Sequence, residues 1–101
     1  MVIKSEKEQN IEKLKKKLLP VLKRHQVARA GVFGSIANGA ARKTSDVDLL
    51  IEFTGEKSLL DLVALKFDLE AETKRHVDVL TYRALHPLIR KKVLSQEVKV
   101  L

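Results

Sequence analysis

The sequence contains no cysteine, only four aromatic residues and no long apolar run. Without cysteine there is no disulfide framework and no thiolate metal site. Its apolar stretches are shorter than the roughly 18 residues of a membrane-spanning helix, and the N-terminus "MVIKSEKEQNIEKLKKK" has no apolar signal core. We therefore expect a cytoplasmic protein that has no contact with a membrane.

The 101 residues are 45% hydrophobic and 33% charged, with a net charge of +7. A chain of this length suffices for one domain, and we expect residues 1–101 to form a single one. Residues 1–24 hold eight basic and three acidic residues, so much of the positive charge lies in one segment. We favour a solvated helix face there. The shortage of aromatic residues gives little support to base stacking, so direct nucleic-acid binding is not expected.

Hydrophobic periodicity predicts helices alternating with short strands. A helix over about 6–24 contains Pro20, which predicts a kink or a break. The other predicted elements are a strand over 28–33, one or two helical turns in 35–41, a strand over 47–53, a helix from Ser58 to about Thr73, a strand over 77–80, a helix opening at Pro87, and a short closing strand in "EVKVL". Ser58 and Asp61 have the spacing of a capping box.

Two aspartates, Asp46 and Asp48, stand at the start of the apolar strand "VDLLIEF". Residues two apart on a strand point to the same side, so both carboxylates project from the face opposite Val47, Leu49 and Ile51. Two carboxylates roughly 6 to 7 Å apart repel by about 2 to 3 kcal/mol at an effective dielectric constant near 20. A cation bound between them would make the net electrostatic interaction attractive. Oxygen ligands without cysteine point to magnesium or manganese rather than zinc.

Asp78 repeats this pattern on the following strand, where Val77 and Val79 take the other face. If the two strands are neighbours in register, the three carboxylates converge. His76 shares the alternating face of Asp78, but a structural role is the favoured interpretation. Glu52 continues the face of Asp48 four residues further on, and we expect it to be exposed to solvent.

The pair Gly34-Ser35 ends the first strand where a short helix is predicted to begin. Glycine lets a phosphate approach the backbone, and the first amides of a helix together with a serine hydroxyl are donors to phosphate oxygens. Alone, the pair is ordinary turn chemistry. Beside the carboxylates, it predicts a phosphate-binding nest opposite a metal site.

Gly34-Ser35, ten intervening residues, Asp46-Val47-Asp48 and the later Asp78 in "VDVL" resemble the minimal nucleotidyltransferase (MNT) domains of the DNA polymerase β-like superfamily. Gly39 and Ser45 also match. The N-terminal helix, "LLIEF", "SLLDLVALKFDLE" and "IRKKVLSQEV" extend the resemblance to nearly the whole chain. It implies an α+β fold, in which helices pack on a small mixed sheet of three or four strands, the polymerase β-like palm.

The resemblance also implies a reaction, the transfer of a nucleoside monophosphate from a nucleoside triphosphate, with AMP from ATP as the expected case. Asp46 and Asp48 would ligate two magnesium ions, with manganese as the other option. Asp78 would complete the second metal site and help deprotonate the acceptor. Gly34 and Ser35 would hold the β- and γ-phosphates.

One segment departs from the pattern of the family. Relatives often carry arginines in the short helix after Gly-Ser, where this chain has Ile36 and Asn38. The departure bears on how tightly the triphosphate is held. Arg42 and Lys43 are possible substitutes as phosphate partners, and a solvated loop is the other interpretation of them.

A catalytic module this small must take its acceptor from a partner. The resemblance implies that the partner is a toxin with a HEPN (higher eukaryotes and prokaryotes nucleotide-binding) domain, that a toxin tyrosine is adenylylated, and that the MNT protein is the antitoxin. A second hypothesis is neutralisation by binding alone, with a catalytically weak site. A third, less favoured, is RNA binding through the basic N-terminal segment.

Overall fold

A computed structural model of the protein describes residues 6–34 and 46–101. The secondary-structure elements are α1 (Glu6–Arg24), β1 (Val27–Phe33), β2 (Val47–Phe53), α2 (Leu59–Thr73), β3 (Val77–Thr81), a 3-10 turn (Tyr82–Ala84), α3 (Pro87–Gln96) and β4 (Val98–Lys99). The helical turns predicted in 35–41 lie outside the described residues. Of the helices described, none combines the length and the apolarity needed to cross a bilayer.

The predicted capping box opens α2. The Ser58 N–H donates to Asp61 Oδ2 at 2.7 Å, and the Asp61 N–H donates to the Ser58 hydroxyl oxygen at 3.4 Å. Lys74 ends the helix in the left-handed conformation, with φ of 55°. These local signals fix where α2 starts and stops, and thereby where β3 begins.

Helix α1 runs through Pro20 without interruption, so the predicted break is wrong. Proline removes the donor that would bond to the carbonyl of Lys16, four residues earlier. Both residues lie on the exposed side of the helix, where water can hydrate that carbonyl. The opposite side of α1 buries Leu14, Leu18 and Leu22, and this packing holds the helix together across the proline.

The described strands form one mixed sheet in the order β3-β2-β1-β4. Strand β1 is antiparallel to both β2 and β4, whereas β2 and β3 are parallel. The parallel pairing follows from the crossover through α2, because two strands joined through a helix can enter the sheet in the same direction. The predicted α+β fold with a small mixed sheet is confirmed.

Helices α1 and α2 cover one face of the sheet. The buried residues of this core are Leu14, Leu18, Val21, Leu22, Val27, Ala30, Val32, Val47, Leu49, Ile51, Leu65, Leu69, Val77 and Val100. On the other face, Leu50 is buried beneath Tyr82 and Leu85, with Val93 and Leu94 of α3 packed against them. Burial of β2 on both faces at its middle makes this strand the rigid centre of the molecule.

Contacts among Tyr82, Glu97 and Arg29 hold the end of the chain against the sheet face opposite α1 and α2, which we call the second face. The Tyr82 hydroxyl donates to Glu97. The Arg29 guanidinium lies 3.6 Å from the same carboxylate and 4.1 Å from the centre of the Tyr82 ring. Burial, and then Glu97, raise the pKa of Tyr82 well above its ordinary value. This tyrosine therefore stays neutral and holds Glu97, whose side chain packs over Gly31 where β4 pairs with β1.

Candidate active site

Four polar side chains stand at the starts of the two parallel strands. Asp46 and His76 each precede their strand by one residue, and Asp48 pairs with Asp78 in the register. The backbone N–H of Val47 donates to the carbonyl of His76 at 2.9 Å, which fixes this alignment. Since alternate residues of a strand share a face, all four side chains lie on the second face, opposite the α1–α2 core. We call them the polar quartet.

Three members of the quartet are close enough to act on one ion. Nδ1 of His76 lies 3.8 Å from Oδ2 of Asp46 and 3.7 Å from Oδ1 of Asp78. Among the described residues, Asp46, His76 and Asp78 each offer a ligand atom, and these atoms lie within 4.8 Å of one another. The side chains of Asp46 and Asp78 are 63% and 53% exposed, so an ion or a substrate can reach them.

Asp48 is the half-buried member of the quartet. Burial raises the pKa of its carboxyl group, and the neighbouring charges of Asp78 and then Asp46 raise it further, while His76 acts in the opposite direction. Among the residues that the structure describes, the negative charge around Asp48 is thus incompletely balanced. Three carboxylates and an imidazole are a donor set that suits a divalent cation, and a bound cation would remove the repulsion.

Gly34 fits against Asp48 at the end of β1. Its φ is +68°, a left-handed conformation that glycine adopts at no steric cost. A Cβ at this position would overlap the Oδ2 atom of Asp48. The glycine predicted to allow the approach of a phosphate therefore also makes room for a carboxylate of the quartet.

Lys66 and Glu70 of α2 hold the beginning of β3 in place. The Lys66 ammonium donates to the carbonyl of Val77 at 2.6 Å and to Glu70 at 3.3 Å. Glu70 in turn accepts the N–H of Val77 at 3.0 Å, and its Oε2 lies 3.9 Å from Nε2 of His76. The bond from the Val77 N–H is the main cause of the lowered pKa of Glu70, so this carboxylate stays charged beside His76.

The structure brings together four of the seven residues predicted for the site: Gly34, Asp46, Asp48 and Asp78. The other three, Ser35, Arg42 and Lys43, lie outside the described residues. Sequence reasoning assigned His76 to a structural role, although its alternation with Asp78 already placed both on one face. Glu52 is exposed, as predicted.

A cleft of about 770 Å³ lies at the other end of β2 and β3. The cations that line it are Arg29, Lys57, Arg83 and Arg90, together with the carboxylates of Glu52 and Glu56. It contains no member of the quartet. Because the cluster of carboxylates among the described residues is at the strand starts, that end of the sheet is the candidate active site.

Sequence comparison places this geometry in a known family. The family model described as the nucleotidyltransferase domain matches residues 7–100. The chain belongs to this family. A candidate protein adenylyltransferase of Methanocaldococcus jannaschii is 49% identical over 92 residues, which covers 91% of this chain and 99% of the relative. The protein adenylyltransferase MntA of Thermococcus cleftensis is 40% identical over 77 residues, covering 76% and 78%. The predicted nucleotidyltransferase is thereby confirmed.

Solved structures show the same nucleotidyltransferase fold. The structure of a candidate minimal nucleotidyltransferase superimposes with a TM-score of 0.75 at 37% identity, covering 89% of this chain and 92% of that one. An MNT antitoxin in complex with a tri-AMPylated HEPN toxin, from Shewanella oneidensis, gives a TM-score of 0.70 at 15% identity, covering 89% and 71%. At 15% identity, the second match shows only that the two proteins share a fold.

Proposed function

We propose that this nucleotidyltransferase moves AMP from ATP onto a tyrosine hydroxyl of a HEPN-domain toxin and so acts as its antitoxin. The observation that carries the proposal is the convergence of Asp46, Asp48 and Asp78 at the starts of two adjacent parallel strands. Support for AMP transfer to a protein comes from the two sequence relatives, both named as protein adenylyltransferases, and support for the partner comes from the fold likeness to an MNT antitoxin bound to a tri-AMPylated HEPN toxin.

The three carboxylates would hold divalent cations, magnesium being the expected species. When bound, such ions neutralise the triphosphate and stabilise the entering and leaving oxygens of an in-line displacement. The chain's own part is to keep the oxygen ligands in register. Backbone pairing of β2 with β3 does this, because it sets Asp48 beside Asp78 without relying on long side chains.

The β- and γ-phosphates would lie at Gly34 and Ser35. The lack of a side chain on Gly34 lets the phosphates approach the backbone beside Asp48. Arg42 and Lys43 are proposed as further phosphate partners, in place of the arginines that relatives carry earlier in this segment.

In the proposed reaction the acceptor oxygen bonds to the α-phosphorus of ATP, and the bond from that phosphorus to the β-phosphate oxygen breaks. Pyrophosphate leaves with the electron pair of the broken bond. The proton of the acceptor hydroxyl passes to the Asp78 carboxylate, which is more than half exposed and therefore accessible to an incoming side chain. Transfer of that proton as the new bond forms makes the hydroxyl a stronger nucleophile.

Label transfer tests the proposal directly. The protein is incubated with magnesium, the HEPN partner and ATP labelled on either the α- or the γ-phosphate. We expect label on the partner only from α-labelled ATP, mapped by mass spectrometry to a tyrosine. Asp78→Asn should reduce it by about 10³-fold, because a loss of several kcal/mol of transition-state stabilisation corresponds to that factor. Label from γ-labelled ATP, or equal labelling by the variant, would contradict the proposal.

Neutralisation by binding alone is the second candidate function, and an exposed apolar stripe on α2 is the observation that favours it. Leu60 and Phe67 lie seven residues apart on this helix and are 79% and 62% exposed. Such a stripe is typical of a surface that contacts another protein. If the Asp78→Asn variant binds the toxin and blocks its activity completely without labelling it, binding alone is the function. If the variant binds but leaves the toxin active, transfer is required.

A further inference from the structure

His76 is the one member of the polar quartet that the proposed reaction does not use. The backbone at His76 is fixed to β2, since its carbonyl accepts the Val47 N–H. Its ring points Nδ1 at Asp46 and Asp78, at 3.8 and 3.7 Å. A nitrogen ligand therefore stands where the oxygen ligands of the proposed cation converge.

The other ring nitrogen faces a carboxylate that is itself fixed. Nε2 of His76 lies 3.9 Å from Oε2 of Glu70, and Glu70 is held by the N–H of Val77 and by Lys66. Histidines that ligate metals usually have a carboxylate or a carbonyl at their second nitrogen, which fixes the ring and its proton. Here Glu70 lies on the Nε2 side of the His76 ring, and the proposed cation would lie on the Nδ1 side.

We infer that His76 is a ligand of the divalent cation at this site and that it shifts the preference of the site from magnesium toward manganese. Imidazole nitrogen suits transition metals, whereas magnesium selects oxygen ligands and keeps much of its water. With Asp46 and Asp78 the set has two carboxylates and one imidazole, which manganese accepts. This inference rests on the proposed function, because it concerns the cation of the same site.

The alternative is that His76 only pairs, as a charged imidazolium, with the carboxylates around it. In that case a cation would displace the ring and bind through oxygens alone. The two alternatives differ in one observable, because only a ligand leaves a nitrogen directly bonded to the ion.

Manganese binding to the purified protein, followed by electron paramagnetic resonance, tests the inference. We compare wild type with His76→Gln and with His25→Gln, a control in which a histidine far from the quartet, paired with Asp68 at 2.6 Å, is removed. We expect His76→Gln to weaken manganese binding by about 10- to 100-fold, the usual effect of substituting a residue that supports a bound metal. Magnesium binding, measured by competition, should change much less, and His25→Gln should bind both ions as wild type does.

A spin-echo measurement on the wild-type manganese complex needs no variant. It should show the coupling of a directly bonded nitrogen, which disappears in His76→Gln. Absence of that coupling, or an equal loss of affinity for both cations, would overturn the inference. These results are independent of label transfer. A nitrogen-coupled manganese site without transfer would contradict the proposed function alone, and transfer without nitrogen coupling would contradict the role of His76 alone.

Discussion

Replacing Asp48 with asparagine is expected to reduce AMP transfer by about 10³-fold, because the carboxylate is proposed to hold the cation that stabilises the transferring phosphate. The substitution keeps the shape of the side chain but removes its charge and replaces one acceptor oxygen with an amide group. Single-turnover transfer from α-labelled ATP measures the effect. The matched control is Glu52→Gln, on the same strand and the same face but exposed and four residues from Asp48, and its transfer rate should be unchanged.

The Asp48→Asn variant should be at least as stable toward unfolding as wild type when no cation is present. Burial and the charges of Asp78 and Asp46 raise the pKa of Asp48 from its ordinary value of 3.8. A raised pKa in the folded state means that the stabilising, protonated form is present in acid and is lost as the pH rises through that pKa. Wild type should therefore fall below Asp48→Asn in free energy of unfolding only above about pH 4.

Urea unfolding across that pH range measures this difference, and adding manganese or magnesium should reverse it by stabilising wild type alone. A variant that is both inactive and clearly less stable than wild type at neutral pH, without added cation, would contradict the account. Such a result would show that Asp48 supports the fold rather than the chemistry.

Gly34→Ala should also impair transfer, by about 10²-fold, because a misplacement of about 1 Å at a reacting centre costs that much. The added Cβ would overlap Oδ2 of Asp48 and push the carboxylate out of the quartet. The left-handed φ of +68° adds a backbone cost of roughly 1 kcal/mol in folding stability.

Gly55→Ala separates these two effects. Gly55 has nearly the same conformation, with φ of +76°, but within the described part of the chain no atom beyond its two neighbours lies within 4 Å of the position where its Cβ would stand. We expect a similar loss of stability in urea unfolding and no loss of transfer. If both alanine variants lost transfer equally, backbone strain rather than the displacement of Asp48 would be the cause.

Much of the fold could be predicted because its signals are local. Strand β2 has the limits predicted from its alternating apolar residues. The capping box fixes the start of α2, and Pro87 opens α3 as predicted. The continuity of α1 through Pro20 could not be predicted, because it depends on which side of the helix packs against the sheet. That side is set by tertiary contacts of Leu18 and Leu22, not by the residues next to the proline.

The carboxylates could be placed on their strands from alternation alone, whereas their convergence depends on a pairing that spans 30 residues. The surroundings of His76 could not be predicted for a similar reason. Glu70, whose carboxylate lies 3.9 Å from the His76 ring, belongs to another element and comes close only after α2 packs beside β3. A single sequence shows that His76 and Asp78 share a face, but not what stands on either side of them.

The carboxylates of β2 and β3 are proposed to act as one centre, and a double-mutant cycle on the transfer rate tests this claim. Asp48→Asn and Asp78→Asn are measured singly and together, with the HEPN partner and α-labelled ATP. Residues that act as a unit are strongly non-additive, so we predict that the double variant is no more than a few-fold slower than either single variant. Losses that multiply in the double variant would contradict the claim and show that the two aspartates act separately.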